Sequence, residues 1–426
     1  MSEAPPLAVG GPGGAGRADG RPPHPALWAA VAFVLGRALT LAAGLAAWSG
    51  GPAPPHAGRW LGADPALLTG GVLARLVDPW IAWDGLWYAS VAAHGYVTPE
   101  SVAFFPSYPL LLRAVMRLAP GPSLAGVLLS LVCSALAVVL LFVMVRARWD
   151  GQTAAWTVAF LSLCPAGLFF GAAYAESLFL LLVLGSFVLA ERGMWIAACA
   201  VGALAALTRN VGVLVVLPLF FLYAERRGWT WKRARPAWPQ DARLAWLVLV
   251  PAGLGVYALY LWSRFGDALA FVTAQSAWGR SFAWPVVTVW RGAQQAGHAL
   301  RVSAGRWPFS WAWLGPGGDG QWMNSIVLLP FVALVAAVVV LACAWRRLPF
   351  AYSVWALAVM LAPLFTPAAN QALLSYPRFL LLAFPLFIGV VLLTGRYRLA
   401  RWLLLAGGAI LLVWLSASFA LFSWAA

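Results

Sequence analysis

Apolar runs of roughly 18 to 24 residues recur along this chain, the length an α-helix needs to cross about 30 Å of hydrocarbon. They fall at 27–49, 121–145, 152–170, 173–190, 195–208, 210–224, 244–263, 324–345, 350–366, 377–394 and 402–423. No water-soluble surface of this size is built from 63% hydrophobic and only 10% charged residues, because a solvated surface needs far more charge. In lipid every backbone polar group must be satisfied within its own segment, which leaves helices as the way such runs fold. The expected fold class is therefore an all-α polytopic integral membrane protein with about 11 transmembrane helices. Residues 1–26, rich in Gly and Pro, are expected to form a disordered cytoplasmic tail, and 27–426 a single transmembrane domain. The run after the tail is too long for a signal-peptide core and reads as an uncleaved first helix.

A formal net charge of +15 invites a nucleic-acid reading, but position argues against it. The basic residues cluster in short loops such as "RAR" at 146–148, "AERRGWTWKRARPAW", "WRR" at 345–347 and "GRYRLAR" at 395–401. That is the positive-inside pattern, and it predicts a cytoplasmic N-terminus. No basic patch is interleaved with a stacking platform, so nucleic acid is not expected as a partner; membrane lipid is. Two long loops, about 50–120 and 264–323, then fall on the extracytoplasmic side. The run "WIAACAVGALAALTRNVGVLVVLPLFFLYA" is too short for two full crossings. It reads either as one long tilted helix or as two short ones meeting at "TRN", and keeping the later loops on their proper sides favours the short pair. No internal repeat is visible, which weighs against an inverted-repeat transporter.

The first long loop contains "DPWIAWDGLWYASVAAHGY", residues 78–96. Trp80, Trp83 and Trp87 recur at helical spacing, which predicts an amphipathic helix lying in the outer interface. Asp78 before Pro79 suits a helix start, and His94 with Gly95 a helix end. In "FFPSYPLLLRAVMRL", Pro106 and Pro109 argue against a single continuous helix.

Ionisable groups near lipid are costly and are functional candidates by default. On the outer side these are Asp64, Asp78, Asp84, Glu100, Glu176, Asp267 and Asp319, with Arg37, Arg209 and Arg378 in or beside spans. Asp84 stands out because its neighbours are apolar, and partial desolvation would make it a better base. Helix capping alone would account for Glu176. Arg209 and Arg378 suit either snorkelling to lipid phosphate or a bidentate grip on a phosphate substrate. Arg37 needs a partner, for which Asp84 or Glu176 would serve. Cys133, Cys164, Cys199 and Cys343 read as small hydrophobes, with no CxxC pair. HExxH, P-loop and Rossmann fingerprints are absent; no cofactor is expected, and a divalent metal is left open.

"WDGLWYASVAAHGY", "VAFFPSYPLLLR", "AAYAESLFLLL", "ALTRNVGVLVV" and "SYPRFLLLAFPLF" follow one another in that order. Together they resemble the PIG-V family of mannosyltransferases, relatives of GPI mannosyltransferase II with bacterial members, over roughly residues 27 to 395. The chain departs from the family at Ala82, usually basic, and at Asn210, usually proline, which bears on substrate specificity. The resemblance implies a GT-C type fold with interfacial helices in the first extracytoplasmic loop. It implies an inverting transferase that takes mannose from a polyprenyl-phosphate sugar to a glycolipid or glycoprotein acceptor, with Asp84 as the base. Arg209 and Arg378 would then bind the donor phosphate. Trp83, Trp87, Tyr88 and Tyr108 would stack on sugars or pack the loop, and Glu176 and His94 would fix the acceptor or orient Asp84. The competing class is a lipid or lipid-linked-sugar flippase, which would share the spans and the intramembrane arginines.

Overall fold

The computed structural model describes residues 24–48, 71–228, 242–304 and 321–421. The expected disordered tail up to residue 23, and Asp64 and Asp319, lie outside them. Among the described residues every regular element is helical. In chain order these are α1 (Pro25–Trp48), α2 (Gly71–Val77), α3 (Asp84–His94), α4 (Ser107–Val115), α5 (Pro122–Arg148) and α6 (Gly151–Leu163). Next come α7 (Glu176–Glu191), α8 (Trp195–Ala206), α9 (Val216–Arg226), α10 (Leu249–Phe265), α11 (Ala270–Thr273) and α12 (Pro285–Ala304). The last are α13 (Gln321–Ala344), α14 (Phe350–Leu361), α15 (Tyr376–Leu380), α16 (Phe384–Thr394) and α17 (Arg398–Ala420).

Among the described residues five helices are long and apolar enough to cross a membrane, at Pro25–Ala47, Pro122–Arg148, Arg243–Phe265, Val327–Ala344 and Arg398–Ala420. The other expected spans are shorter helices or are assembled from two pieces, and proline is the usual cause. A 3₁₀ turn at Pro165–Phe170 follows α6, another at Ala362–Phe365 follows α14, and α15 and α16 are separated just before Pro385. Proline removes a donor and clashes with the preceding turn, so each run changes direction there. The segment around "TRN" is a short pair and not one long helix: α8 ends at Ala206, and a 3₁₀ turn from Asn210 leads into α9. Arg209 sits at the joint in extended conformation (φ −154°, ψ 144°).

α5 packs against α6 and α7, α1 against α6 and α17, and α8 lies between α7 and α10. Helices in lipid gain little from hydrophobic association and rely on close approach over small residues. Gly126 of α5 shows this, since a Cβ added there would meet the Ala173 Cβ at 2.5 Å. At the centre Phe187, Tyr352 and Phe384 are packed edge to face, with ring centroids 5.3 to 5.6 Å apart.

The short arginine-bearing loops gather at one end of this bundle. Arg148 pairs with Glu191 at 2.8 Å and Glu225 at 3.5 Å, Tyr352 donates to Glu191 at 2.5 Å, and Arg226 donates to the Glu191 carbonyl. A cavity of about 390 Å³ lined by Arg148, Glu191, Leu222, Glu225 and Arg226 opens there. Its charged side chains already bond one another or helix-end backbone, so it joins helix ends. Glu176, among the acids expected on the outer side, lies at the other end: Glu176 and Glu191 are the two termini of α7, some 22 Å apart at about 1.5 Å per residue.

The sequence-based picture of residues 78–96 needs correction. Asp78–Ile81 is a 3₁₀ turn, Ala82 is extended, and Trp83 has φ 61° and ψ −118° before α3 begins at Asp84. Trp80, Trp83 and Trp87 therefore share no helix face. Trp80 is instead buried, stacked on Phe419 of α17 at 6.0 Å and against Gly44 of α1. Asp78 is not the N-cap of its turn; Val77 holds that position. α3 does end at His94, with Gly95 at φ 81° behind it. Pro109 lies in the first turn of α4, where its missing N–H costs nothing, while Pro106 sits just before the helix. Cys133 and Cys199 are buried, but Cys343 faces outward.

Candidate active site

The end of the bundle opposite the arginine loops collects four charged side chains from segments far apart in sequence. Arg378 NH1 lies 2.7 Å from an Asp84 carboxylate oxygen, and Arg378 Nε lies 2.9 Å from Glu176 Oε1. Arg209 pairs with the same Glu176 oxygen. Asp84, Arg378, Glu176 and Arg209 thus form one continuous chain of ion pairs. Exposure falls along it from 19% for the Asp84 side chain to 9% for Arg378 and 0% for Glu176, with Arg209 at 11%. Charges this deep persist only because they are paired.

Local structure seats each member. Asp84 is the first residue of α3, at the positive end of the helix dipole. Its position is fixed from behind: the Ala173 N–H donates to the Trp80 carbonyl at 2.8 Å and the Tyr174 hydroxyl to the Ala82 carbonyl at 2.8 Å. The same 173–176 segment leads into Glu176 at the head of α7, so one loop registers both carboxylates. Glu176 is the first residue of α7, behind Ala175 in the cap position, and its Oε1 is engaged by the two arginines. Its Oε2 has no hydrogen-bond partner among the described residues. Aromatic faces back the arginines. Arg378 lies over Tyr174 at 5.3 Å and Phe169 at 5.5 Å, and Arg209 over Phe379 at 5.1 Å.

Two non-glycine residues with positive φ occur among the described residues, Trp83 and Ser375. One directly precedes Asp84 and the other precedes the helix bearing Arg378. Such conformations cost about 1–3 kcal/mol each and persist where the surroundings over-determine them. If the turn at Ser375 (φ 64°, ψ 13°) is what seats Arg378, Ser375→Gly should be about 1 kcal/mol more stable than Ser375→Ala. Thermal unfolding in detergent measures this, and equal melting would show that backbone conformation there is not limiting.

The remaining candidates divide. Trp87 stacks on Phe104 at 5.6 Å and meets the edge of Trp278 at 5.8 Å. Tyr88 is buried against Phe104 and Tyr108, and burial pushes its phenol above the ordinary range despite the opposing Arg209 charge. Tyr108 is wholly buried, bonded to the Gly126 carbonyl and Ser130, so it packs the loop. Trp83 is partly buried against the main core. His94 is exposed at the far end of α3, some 15 Å along the axis from Asp84 at about 1.5 Å per residue; it is not brought to the cluster. Arg37 is not brought there either. Its NH2 donates to the Ser162 carbonyl at 3.3 Å, and its guanidinium lies over Phe170 at 5.6 Å. That carbonyl is at the end of α6, where helix bonding stops before Pro165. Two residues that back the cluster were not singled out in the sequence: Tyr174 lies inside a quoted motif, whereas Phe169 carries no local signal.

Residues 61–226 match the family model described as mannosyltransferase (PIG-V), and that interval holds Asp84, Glu176 and Arg209. Over this stretch the chain is PIG-V-like. The chain is 32% identical over 179 residues to the GPI alpha-1,6-mannosyltransferase 2 of Rattus norvegicus, covering 38% of this chain and 36% of that one. It is 29% identical over 148 residues to the GPI mannosyltransferase 2 of Chaetomium globosum, covering 30% and 31%. The PIG-V-like match thus spans about a third of these relatives. Among solved structures, the chain is similar to apo ArnT from Cupriavidus metallidurans, with TM-score 0.49, 14% identity, and 90% and 62% coverage of this chain and that one. It is also similar to the apo oligosaccharyltransferase of Archaeoglobus fulgidus, with TM-score 0.44, 13% identity, and 93% and 56% coverage.

Proposed function

We propose that this protein transfers mannose from a polyprenyl-phosphate-mannose donor to a hydroxyl of a glycolipid or glycoprotein at the extracytoplasmic face, with inversion. The observation that carries the reading is the Asp84–Arg378–Glu176–Arg209 chain, which sets one carboxylate beside two guanidinium groups. The family match supports the sugar class. The arginine loops gathered at the opposite end of α7 support an outward-facing site with the N-terminus inside.

In the proposed reaction the acceptor oxygen attacks the anomeric carbon on the face opposite the phosphate. Asp84 accepts the hydroxyl proton as the new C–O bond forms. The bond between the anomeric carbon and the phosphate oxygen breaks, and polyprenyl phosphate leaves with the electron pair. A phosphate leaving group needs no general acid, so one carboxylate suffices. Arg378 and Arg209 stabilise the charge that collects on the phosphate. Because Arg378 also grips Asp84, the donor phosphate competes for that guanidinium and frees the base once bound.

Membranes containing the protein should incorporate labelled mannose from polyprenyl-phosphate-mannose and form no product from a nucleotide sugar once endogenous lipid donor is depleted. Transfer straight from the nucleotide sugar would overturn the donor assignment, and retained anomeric configuration would overturn the single-base mechanism. Movement of labelled lipid across sealed vesicles without sugar transfer would favour the flippase class instead.

A further inference from the structure

The second outer segment sends one strip of chain, Trp278–Ala283, back across the site. Trp278 packs on Trp87 and Phe104, one turn beyond Asp84 in α3 and at the foot of α4. Beyond it the backbone pairs antiparallel with the stretch leading to Ser375. The Ala369 N–H donates to the Gly279 carbonyl at 2.9 Å, Arg280 bridges to Ala368, and the Ala283 N–H donates to the Phe365 carbonyl at 3.0 Å. The strip therefore ties the wall that bears Asp84 to the wall that bears Arg378, and Arg280 lies between the two attachments.

Arg280 donates NH1 to the Thr366 carbonyl at 3.0 Å, and no carboxylate among the described residues lies within ion-pair distance of it. The cluster beside it is already balanced, with Arg209 and Arg378 matched by Asp84 and Glu176. Arg280 leaves the group one positive charge in excess. Burial and the neighbouring Arg378 and Arg209 charges pull its guanidinium down to about 10, against the attraction of Asp84. It is therefore still a cation at neutral pH, held where its own kind opposes it. With one backbone carbonyl as its partner and part of its side chain open to solvent, Arg280 has donors left for an anion that enters from outside the chain.

We infer that Arg280 is a third cation for the lipid phosphate, serving the charge that appears on it as the sugar departs. The inference rests on the transferase reading. In the donor the phosphate is a diester with one negative charge. When the anomeric C–O bond breaks, it becomes a monoester that gains a second, while the acceptor proton goes to Asp84. With Arg280 counted, the net charge balances before and after transfer, because Asp84 is neutralised as the phosphate gains its second charge. What changes is that a fixed cation attracts the doubly charged monoester more strongly than the singly charged diester. Groups that meet charge only as it develops act on kcat more than on donor binding.

The test compares wild type, Arg280→Gln and Arg280→Lys in the full-length purified protein, measuring kcat, donor KM, inhibition by polyprenyl phosphate and inhibition by inorganic phosphate. Arg280→Gln should lower kcat about 10²-fold with donor KM changed by less than about threefold. It should also weaken inhibition by polyprenyl phosphate about tenfold more than donor binding, and Arg280→Lys should recover part of both. A Gln variant with wild-type kinetics overturns the inference and leaves the transferase reading standing. So does equal loss in the Gln and Lys variants accompanied by a lower Tm, which would make Arg280 only a backbone tie to Thr366. Inorganic phosphate inhibiting as strongly as the lipid, and through Arg280, would make this a free-phosphate site and overturn the leaving-group role. A wild-type protein that neither transfers sugar nor is bound by polyprenyl phosphate overturns the transferase reading itself.

Discussion

Asp84→Asn should slow sugar transfer by about 10²- to 10⁴-fold, the range that a positioned general base contributes. Asparagine keeps the size of the side chain and its place at the head of α3, so the fold should survive, but it accepts no proton. The substitution also releases Arg378 from its 2.7 Å ion pair. Donor binding should then hold or tighten, because the carboxylate no longer competes with phosphate for that guanidinium. A transfer assay with labelled polyprenyl-phosphate-mannose, run alongside a donor-binding measurement, reads both. Unimpaired turnover would remove Asp84 from the chemistry, and donor binding lost in parallel with turnover would make its role one of assembly.

Glu176→Ala has the second large expected effect, and this one falls first on stability. Glu176 is fully buried and pairs with both Arg209 and Arg378. Removing it takes away the carboxylate that Arg209 pairs with and leaves Arg378 with Asp84 alone. Breaking a buried pair by deleting one partner costs about 3–5 kcal/mol, so the purified protein should melt well below wild type. Glu176→Gln, which can still accept hydrogen bonds, should fall between them. Transfer should be lost in the alanine variant, since both arginines lose the group that aims them. If the alanine variant melted with wild type, the ion-pair chain would not be what joins the head of α7 to the joint at Arg209 and to α15.

Much of this was legible in the chain itself. Hydropathy is a local property, so the crossings at α1, α5, α10, α13 and α17 follow from runs of apolar residues alone. The joint at Arg209 followed from counting together with loop sidedness, since the residues around it are too few for two full crossings and one long helix would put the later arginine loops on the wrong side. Gly95 marked the end of α3 because only glycine readily takes the positive φ found there. The motifs also named Asp84, Glu176, Arg209 and Arg378 one by one, because ionisable groups in so apolar a chain demand explanation.

Other features were not legible, each for a reason outside any single segment. The tryptophan spacing at 80, 83 and 87 mimics a helix face, yet the turn at Trp83 breaks it. That turn is imposed by hydrogen bonds from residues 173 and 174, almost a hundred positions away. Arg37 found a carbonyl at a helix end and not an acid, because α1 packs on α6 at its level. Arg280 looked like any loop arginine.

The sequence by itself determined that this chain is a helical membrane protein and which few ionisable residues needed a purpose. Only the tertiary structure decided that Asp84, Glu176, Arg209 and Arg378 belong to one ion-paired chain and that Arg280 is held beside them. The reason is one of range. Burial in lipid and helix breaking act on neighbours along the chain, whereas ion pairing acts through space and depends on which helices their small residues allow to meet.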